Sequence, residues 1–466
     1  MSSTELRRAW TAFRSPGRLI ALAVAALTVI TLGLLFAGGT SSGVSDTFWF
    51  RHQDLGRDGT ITVRMTSMTG TITYPPPGHD QIVSGLVPWA KAGIIVKDGL
   101  RQGTRYAALA MTGGHGVRFQ HDYVHDVAGS AIQTPRWLRL TRSGDTITGS
   151  ESADGEQWHV VGTAELTGLP ETVQVGLFAT SPGDLTLRET GLGGTIEQVR
   201  FTQAVGVFDN VSVQGGTGSW DSQSVGEMNH TDWEKFHNAS GVVEKDGVVT
   251  ISGTGDIGPI GEGGAGGAER ALSGLVIALI IVLVVAARYG ARDASSRQVI
   301  AARTVVIGSA TFVTGLLGAG IVLATAPLPT GARVAVGVAA VLALCAVLSY
   351  GLGVWLRRGW AAILVALTLV AVPYAVTAVP LLPDDVAEWL LRLTPAAGFA
   401  VKQTLVEFPQ VTAHYAPSAG YFPLPGWAGF AVLVAYTAAV LWPVLRSSSP
   451  GSTRTPLPVP PRGSSG

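Results

Sequence analysis

The chain has 466 residues, of which 47% are hydrophobic and only 14% are charged. Soluble globular domains carry about 25% charged residues, so this composition argues against an ordinary soluble protein. Basic and acidic residues number 32 each, and a zero net charge gives no reason to expect nucleic acid as a partner. The averages combine a polar, glycine-rich stretch over about residues 45–265 with an Ala-, Val- and Leu-rich stretch over about residues 271–445.

The apolar stretches predict an α-helical membrane bundle of about six spans, because roughly 20 apolar residues in a helix cross a bilayer core. The first span is predicted over residues 19–38. Its preceding arginines also fit a cleavable secretory signal, although the apolar run is long for one. The other spans fall within residues 269–446, at Leu272–Ala287, about Val305–Thr325, Val334–Leu356, Ala361 to about Val379, and Trp427 to about Leu445.

Basic residues flank alternate ends of these spans, and Lys and Arg in short loops stay preferentially in the cytoplasm. They are Arg7, Arg8, Arg14, Arg18, Arg288, Arg292, Arg297, Arg303, Arg357, Arg358 and Arg446. This pattern predicts a cytoplasmic N-terminus over residues 1–18 and a disordered cytoplasmic tail over residues 447–466. The polar segment between spans one and two is then predicted to lie outside the membrane.

Residues 45–215 predict an all-β domain. Trp137–Arg142, Thr146–Glu151 and Trp158–Val161 alternate in polarity and are separated by Ser-Gly-Asp and Asp-Gly turns, which predicts a three-stranded meander. Short strands with glycine-rich turns at this spacing are typical of a sandwich. Residues 216–268 are predicted to add one or two strands and a Gly-rich linker.

Segments of this region, in order, resemble a concanavalin A-like jelly roll. They are Trp89–Asp98, Gly116–Gln120, Pro135–Leu140, Ser152–Gly155 with Trp158, Val175–Phe178, and Phe208–Val213. The resemblance implies a jelly-roll sandwich inserted between spans one and two, similar to lectin-like and laminin G-like modules. Such modules commonly bind carbohydrate, so an extracellular glycan is an expected partner. Some glycoside hydrolases share the fold.

Four residues are candidates for ligand contact in this domain. Trp89 and Trp158 could stack on a sugar ring, although tryptophans in strands are more often part of the core. His121 and His125 would share one face of a strand. With Asp122 or Asp126 they could hold a metal, but two histidines without a defined third ligand more often mark a polar edge. No metal site is therefore predicted.

Glycoside hydrolysis needs two carboxylates facing each other across a cleft. Glu151, Asp154 and Glu156 are close in sequence, but Asp154 belongs to an Asp-Gly turn. No catalytic residue is predicted, and a membrane-tethered glycosidase is the weakest of the functional hypotheses.

The C-terminal half resembles the permease subunits of bacterial ABC-2 type transporters. The matching segments are Ser252–Pro259, Ala301–Gly308 with Phe312–Leu316, Leu391–Phe399, and Gly420–Phe430. The resemblance implies a multi-pass protein of the bacterial cytoplasmic membrane that exports its substrate as a homodimer or paired permease. A separate ABC ATPase subunit would use ATP, and this chain would bind no cofactor directly.

The predicted coupling loop to that ATPase follows the second span. Its candidate residues are Arg288, Tyr289, Gly290, Arg292, Arg297 and Arg303. The same arginines would also serve as an ordinary stop-transfer flank. The loop is shorter than in similar permeases, which favours an alternative: a membrane-anchored carbohydrate-binding or sensing protein without transport activity.

Two absences in the sequence bear on the energy source. No G-x-x-x-x-G-K-[ST] segment occurs, so we expect no ATP hydrolysis by a P-loop mechanism in this chain. No Asp, Glu, Lys or His lies well inside a predicted span, which argues against a proton- or ion-coupled carrier working alone. An ATP-driven complex is therefore the favoured hypothesis.

Overall fold

The computed structural model divides into two compact units, a helical unit (residues 1–40, 266–405 and 415–466) and a β unit (residues 41–265 and 406–414). A β domain together with apolar helices agrees with the predicted fold class. The described residues are 3–36, 44–73, 81–132, 134–189, 193, 195–229, 235, 239–259, 267–292, 296–325, 330–379, 382–411, 415–417 and 420–447. The predicted disordered tail lies outside them apart from Ser447, as does most of the Gly-rich linker.

The β unit consists of antiparallel strands. In chain order they are β1 (Val44–Asp46), β2 (Phe48–Thr73), β3 (Ile82–Ser84), β4 (Lys91–Lys97), β5 (Tyr106–Thr112), β6 (Gly116–His121), β7 (His125–Ala128), β8 (Arg136–Ser143), β9 (Thr146–Ser152), β10 (His159–Glu165), β11 (Val173–Thr180), β12 (Asp184–Glu189), β13 (Thr195–Val225), β14 (Gly241–Lys245), β15 (Val248–Gly253) and β16 (Ile257–Pro259). The predicted meander corresponds to β8, β9 and β10, which pair in that order.

Two long strands join the layers of this unit. β2 has 26 residues and β13 has 31, and they pair along most of their length with several bulges. The first part of β2 pairs with β11, whereas a later part pairs with β8. The sheet therefore folds over on itself into a sandwich, with side chains such as Ile61, Ile94 and Leu138 fully buried in one core.

A second core covers the opposite face of β4 and β5. It includes Phe48, Phe50, Tyr106 and Phe178, because alternate residues of each strand point to opposite faces. The two-stranded ribbon of β1 and β16, which holds the first and last strands of the unit, contributes Ile257 to it.

Two buried lysines of β4 bind acidic residues in or beside this ribbon. Lys97 Nζ lies 2.6 Å from Asp46 Oδ2, and both side chains are almost fully buried. Lys91 Nζ lies 3.2 Å from Asp256 Oδ1. The Tyr123 hydroxyl also donates a hydrogen bond to Asp46. Burial lowers the pKa of Lys97, and the Asp46 carboxylate opposes that shift. These contacts fix the ribbon to the sheet.

We predict that Lys97→Met destabilises the β unit by about 3–5 kcal/mol, since it leaves the buried Asp46 carboxylate without its cation. Hydrogen exchange of β4 and β5 amides in the full chain measures the opening free energy. Arg57→Met is the control, because the Arg57–Glu171 pair is largely exposed and should contribute about 0–1 kcal/mol. Equal effects of the two substitutions would contradict the prediction.

The helical unit contains two irregular segments among its helices. Its elements are α1 (Ser3–Phe13), α2 (Pro16–Phe36), α3 (Gly267–Ala271), α4 (Leu275–Gly290), α5 (Arg297–Thr325), α6 (Gly331–Leu356), α7 (Gly359–Ala366), a π-helical turn (Leu367–Ala371), α8 (Val372–Thr377), α9 (Asp384–Leu393), a 3₁₀ helix (Pro395–Lys402) and α10 (Gly426–Ser447). Five described helices are long and apolar enough to cross a membrane, counting α7 to α8 as one.

The second predicted span differs from the other five in length. Its helix, α4, has 16 residues and is therefore about 24 Å long. A turn over residues 272–274 separates it from α3, so the helix begins later than the apolar run. Gly290 of α4 and Gly353 of α6 lie directly against the backbone of the opposite helix, and this close packing needs residues without a side chain.

Candidate functional site

One end of the helical unit is basic, and a buried tyrosine lies at its centre. The Tyr289 ring centroid lies 5.4 Å from that of Phe13 and 5.6 Å from that of Tyr350. The guanidinium carbons of Arg18 and Arg303 lie 4.6 and 5.4 Å from the same ring. Residues from α1, α2, α5 and α6 therefore meet at one residue of α4, and these contacts hold the helix ends together.

The predicted coupling residues divide into two groups at this basic end. Arg288, Arg292 and Arg297 are exposed, whereas Tyr289 and Gly290 are buried and Arg303 is half-buried. Only the three exposed arginines present charge to a partner. The buried members organise the helices that carry those arginines.

A charged cluster of Glu269, Tyr374 and Lys402 is buried elsewhere in the helical unit. Lys402 Nζ lies 2.6 Å from Glu269 Oε2, and the side chains are 1% and 19% exposed. The Tyr374 hydroxyl donates a hydrogen bond to Glu269 and accepts one from Lys402. A carboxylate, a phenol and an ammonium thus satisfy one another with little access to water.

Aromatic rings complete the surroundings of the ammonium. Lys402 Nζ lies 4.6 Å from the ring centroid of Tyr374, 5.6 Å from that of Phe399 and 5.9 Å from that of Phe422. A cation within about 6 Å of aromatic faces is stabilised by them, and more strongly where water is excluded. The cluster is therefore a specific site for a positive charge inside an apolar unit.

Irregular backbone surrounds this charged cluster. Tyr374 follows the π-helical turn by three residues, and Lys402 ends the buried 3₁₀ helix. Irregular backbone in a membrane unit is tolerated where protein buries it or a cavity is lined by it. π-helical turns occur frequently at functional sites, and ionisable groups buried in membrane proteins are functional-site candidates.

Sequence reasoning did not identify this cluster. Glu269 and Lys402 lie outside the predicted spans, so the absence of ionisable residues within spans gave no reason to pair them. One signal was present: Lys402 directly follows the apolar segment Pro395–Val401, and Glu269 precedes the second apolar stretch. Their contact depends on the packing of segments 133 residues apart, which no local pattern encodes.

We predict that Lys402→Met lowers the stability of the full chain by about 3–5 kcal/mol, because it leaves Glu269 as an unpaired buried charge. The double variant Glu269→Gln, Lys402→Met should recover most of that loss. Thermal unfolding in lipid nanodiscs measures both. Glu388→Gln is the control, since the Glu388–Arg392 pair is partly exposed and of the type that contributes about 0.3–0.5 kcal/mol. A double variant as unstable as Lys402→Met would contradict the prediction.

The structure does not bring the four predicted ligand residues of the β unit together. Trp89 packs on His115, with ring centroids 4.2 Å apart. Trp158 is covered by the guanidinium of Arg139, whose central carbon lies 3.7 Å from its ring. Both tryptophans are half-buried, and each already has a stacking partner within the protein.

His121 and His125 face each other across β6 and β7, with stacked rings 4.4 Å apart. Burial, and then the neighbouring His125, lower the pKa of His121. The acidic residues that could have completed a metal site bind arginines instead: Asp122 pairs with Arg105 and Asp126 with Arg118. Among the described residues no group of three or more potential metal ligands occurs.

The acidic residues near the Asp-Gly turn have structural contacts. Glu151 is buried and accepts hydrogen bonds from Arg136 Nε and from the backbone N–H of Ser130. Asp154 accepts hydrogen bonds from the backbone N–H groups of Gln157 and Glu156, and these bonds lower its pKa to about 2. The lowered pKa of Asp154 makes it unsuitable as a proton donor at neutral pH.

A polar cleft of about 520 Å³ lies elsewhere on the β unit. Trp220 and Arg51 line it, with the Arg51 guanidinium carbon 5.3 Å from the Trp220 ring. Acidic and amide side chains complete the lining: Asp209, Asn210, Glu244 and Asp246. Asn210, Val211 and Trp220 of the lining lie within bulges of β13, and bulges commonly redirect side chains next to binding sites. Trp220 was not predicted as a ligand residue, because the sequence around it carries no clear strand pattern.

No family model matches the chain, and no curated protein matches it. Solved structures match parts of it. One is a functionally unknown protein from Saccharomyces cerevisiae, 17% identical over 36% of this chain and 74% of that chain, with a TM-score of 0.22. Another is SCP-B, a member of the eqolisin family of peptidases, 10% identical over 45% of this chain and 98% of that one, with a TM-score of 0.27. A third is the GH43 protein BlXynB from Bacillus licheniformis, which is 14% identical over 31% of this chain and 26% of that chain, with a TM-score of 0.19. None of these likenesses bears on function.

Proposed function

We propose that this chain is the permease subunit of an ABC-2 type export transporter, energised by a separate ATPase and carrying a lectin-like extracytoplasmic domain. The observation that carries the proposal is the charged cluster of Glu269, Tyr374 and Lys402, buried beside a π-helical turn and a 3₁₀ helix. Buried ionisable residues in membrane proteins commonly mark pathways for polar substrates or ions. A purely anchoring bundle has no need of such residues.

The basic end supports the second half of the proposal, the partner ATPase. Three exposed arginines, Arg288, Arg292 and Arg297, lie at the junction of α4 and α5. The contacts of Tyr289 connect that junction to α1, α2 and α6. A force applied there by a partner would reach several helices at once. In this proposal the basic end is cytoplasmic, as the distribution of arginines favours.

We expect an ABC ATPase to co-purify with the tagged chain from its native membrane. Arg292→Glu with Arg297→Glu should reduce the recovered ATPase by at least about tenfold, since reversing two exposed charges converts attraction into repulsion. Arg57→Glu with Arg101→Glu is the matched control, because these arginines are exposed on the β unit. Recovery of the chain without any ATPase, under conditions that preserve other membrane complexes, would contradict the proposal.

A second function, carbohydrate binding by the β unit, is favoured by the polar cleft. It combines an aromatic ring (Trp220), the carboxylate of Asp246 and an amide (Asn210), the groups that stack on and hydrogen-bond to sugars. Glu244 lines the same cleft and is paired with Arg51. Asp246 has no hydrogen bond or ion pair to any described residue, so its carboxylate is available to a ligand. The chain would bind a glycan either as part of a transporter or as a membrane-anchored binding protein.

We predict that Trp220→Ala weakens glycan binding by the full chain on an oligosaccharide array by about 2 kcal/mol or more, the loss expected for an aromatic anchor. Trp158→Ala is the control, because Arg139 lies 3.7 Å from that ring, closer than the 5.3 Å between Arg51 and the Trp220 ring. Loss of binding in the Trp158 variant alone would instead favour the residues predicted from sequence. An array that detects no glycan would reject this second function.

A further inference from the structure

An apolar groove of about 690 Å³ runs between α1, α2 and α5 of the helical unit. Small side chains form its floor, among them Ala23, Ala26 and Ala310. Larger exposed ones form its walls, among them Leu19, Val313 and Leu317, which are 40%, 53% and 53% exposed. Small residues between rows of large ones leave a channel along the helices. The channel is suited to an elongated apolar group.

The hydrogen-bonding groups in the groove are few. Thr314 lines it, but its hydroxyl donates to the Ala310 backbone carbonyl at 2.9 Å. Ser309 is the other hydroxyl along the α5 wall. A peptide segment with an unpaired backbone would lose its hydrogen bonds to water here, whereas an acyl chain has none to lose. The lining therefore favours hydrocarbon.

The groove has a charged and aromatic mouth. Arg7 and Trp10 of α1 line it at the basic end, and both are exposed. The Arg7 guanidinium has no hydrogen bond or ion pair to any described side chain. Tryptophan and arginine next to apolar surface are typical of the headgroup region of a bilayer.

We propose that this groove is a binding site for an anionic phospholipid, with the phosphate at Arg7 and one acyl chain between α2 and α5. The positive charge of Arg7 selects the headgroup, because Arg7 is the basic residue that lines the groove. The inference depends on a membrane location and on no partner ATPase. Its failure and that of the permease proposal are thus independent.

Native mass spectrometry of the full chain tests the site in nanodiscs that contain phosphatidylglycerol and phosphatidylcholine in equal amounts. We expect retained phosphatidylglycerol to exceed phosphatidylcholine. Arg7→Gln should weaken that retention about fivefold, the effect of one basic residue near an anionic surface. Arg8→Gln is the control, since Arg8 is exposed on the same helix and does not line the groove.

A second pair of variants tests the acyl-chain site separately. Ser309→Phe fills the groove from an exposed position and should remove the retained lipid whatever its headgroup. Leu316→Phe is its control, because Leu316 is exposed on the same helix outside the groove. Equal retention of both lipids, equal effects of Arg7→Gln and Arg8→Gln, or unchanged retention in Ser309→Phe would overturn the proposal. So would a second polypeptide found in the groove by cross-linking at Val313.

Discussion

The ion pair between Lys402 and Glu269 constrains how the segments of the helical unit pack. Lys402 is buried and Glu269 is mostly buried, so removing either partner would leave the other in a medium that solvates it poorly. The pair therefore links three segments that are distant in sequence: α3 with Glu269, α8 with Tyr374, and the 3₁₀ helix with Lys402. The π-helical turn and the 3₁₀ helix are compatible with this position because neighbouring helices bury their backbone.

The β unit also contains buried lysines paired with carboxylates. Lys91 and Lys97 lie on one face of β4, and their partners lie in or beside the ribbon of the first and last strands. Asp46, Asp256 and Glu269 thus lie close in sequence to the points where the chain passes between the β and helical units. In all three, an acidic residue near such a connection binds a buried lysine of its own unit. Ion pairs fix both ends of the β unit and the start of the second apolar helix.

Periodicity predicted most of the architecture, because it depends on local sequence. Alternation located β8, β9 and β10, and apolar length located five long helices. The fourteen-strand pairing through β2 and β13 was not predictable, since bulges change the register of both strands. The candidate sites were the least predictable part. Trp158 has the residue type of a sugar contact, yet Arg139 occupies its face, and Lys402 gains its partner only through packing.

The permease proposal requires the segment next to the charged cluster to belong to a pathway that opens. Ala396 of the 3₁₀ helix is fully buried, and the single cysteine, Cys345, is buried as well. The direct measurement is maleimide labelling of Ala396→Cys in a Cys345→Ala background, in the natively purified complex with and without ATP. If the permease proposal is right, the cysteine at position 396 is labelled during ATP turnover and protected without ATP. Equal protection under both conditions, in a complex that hydrolyses ATP, would contradict it.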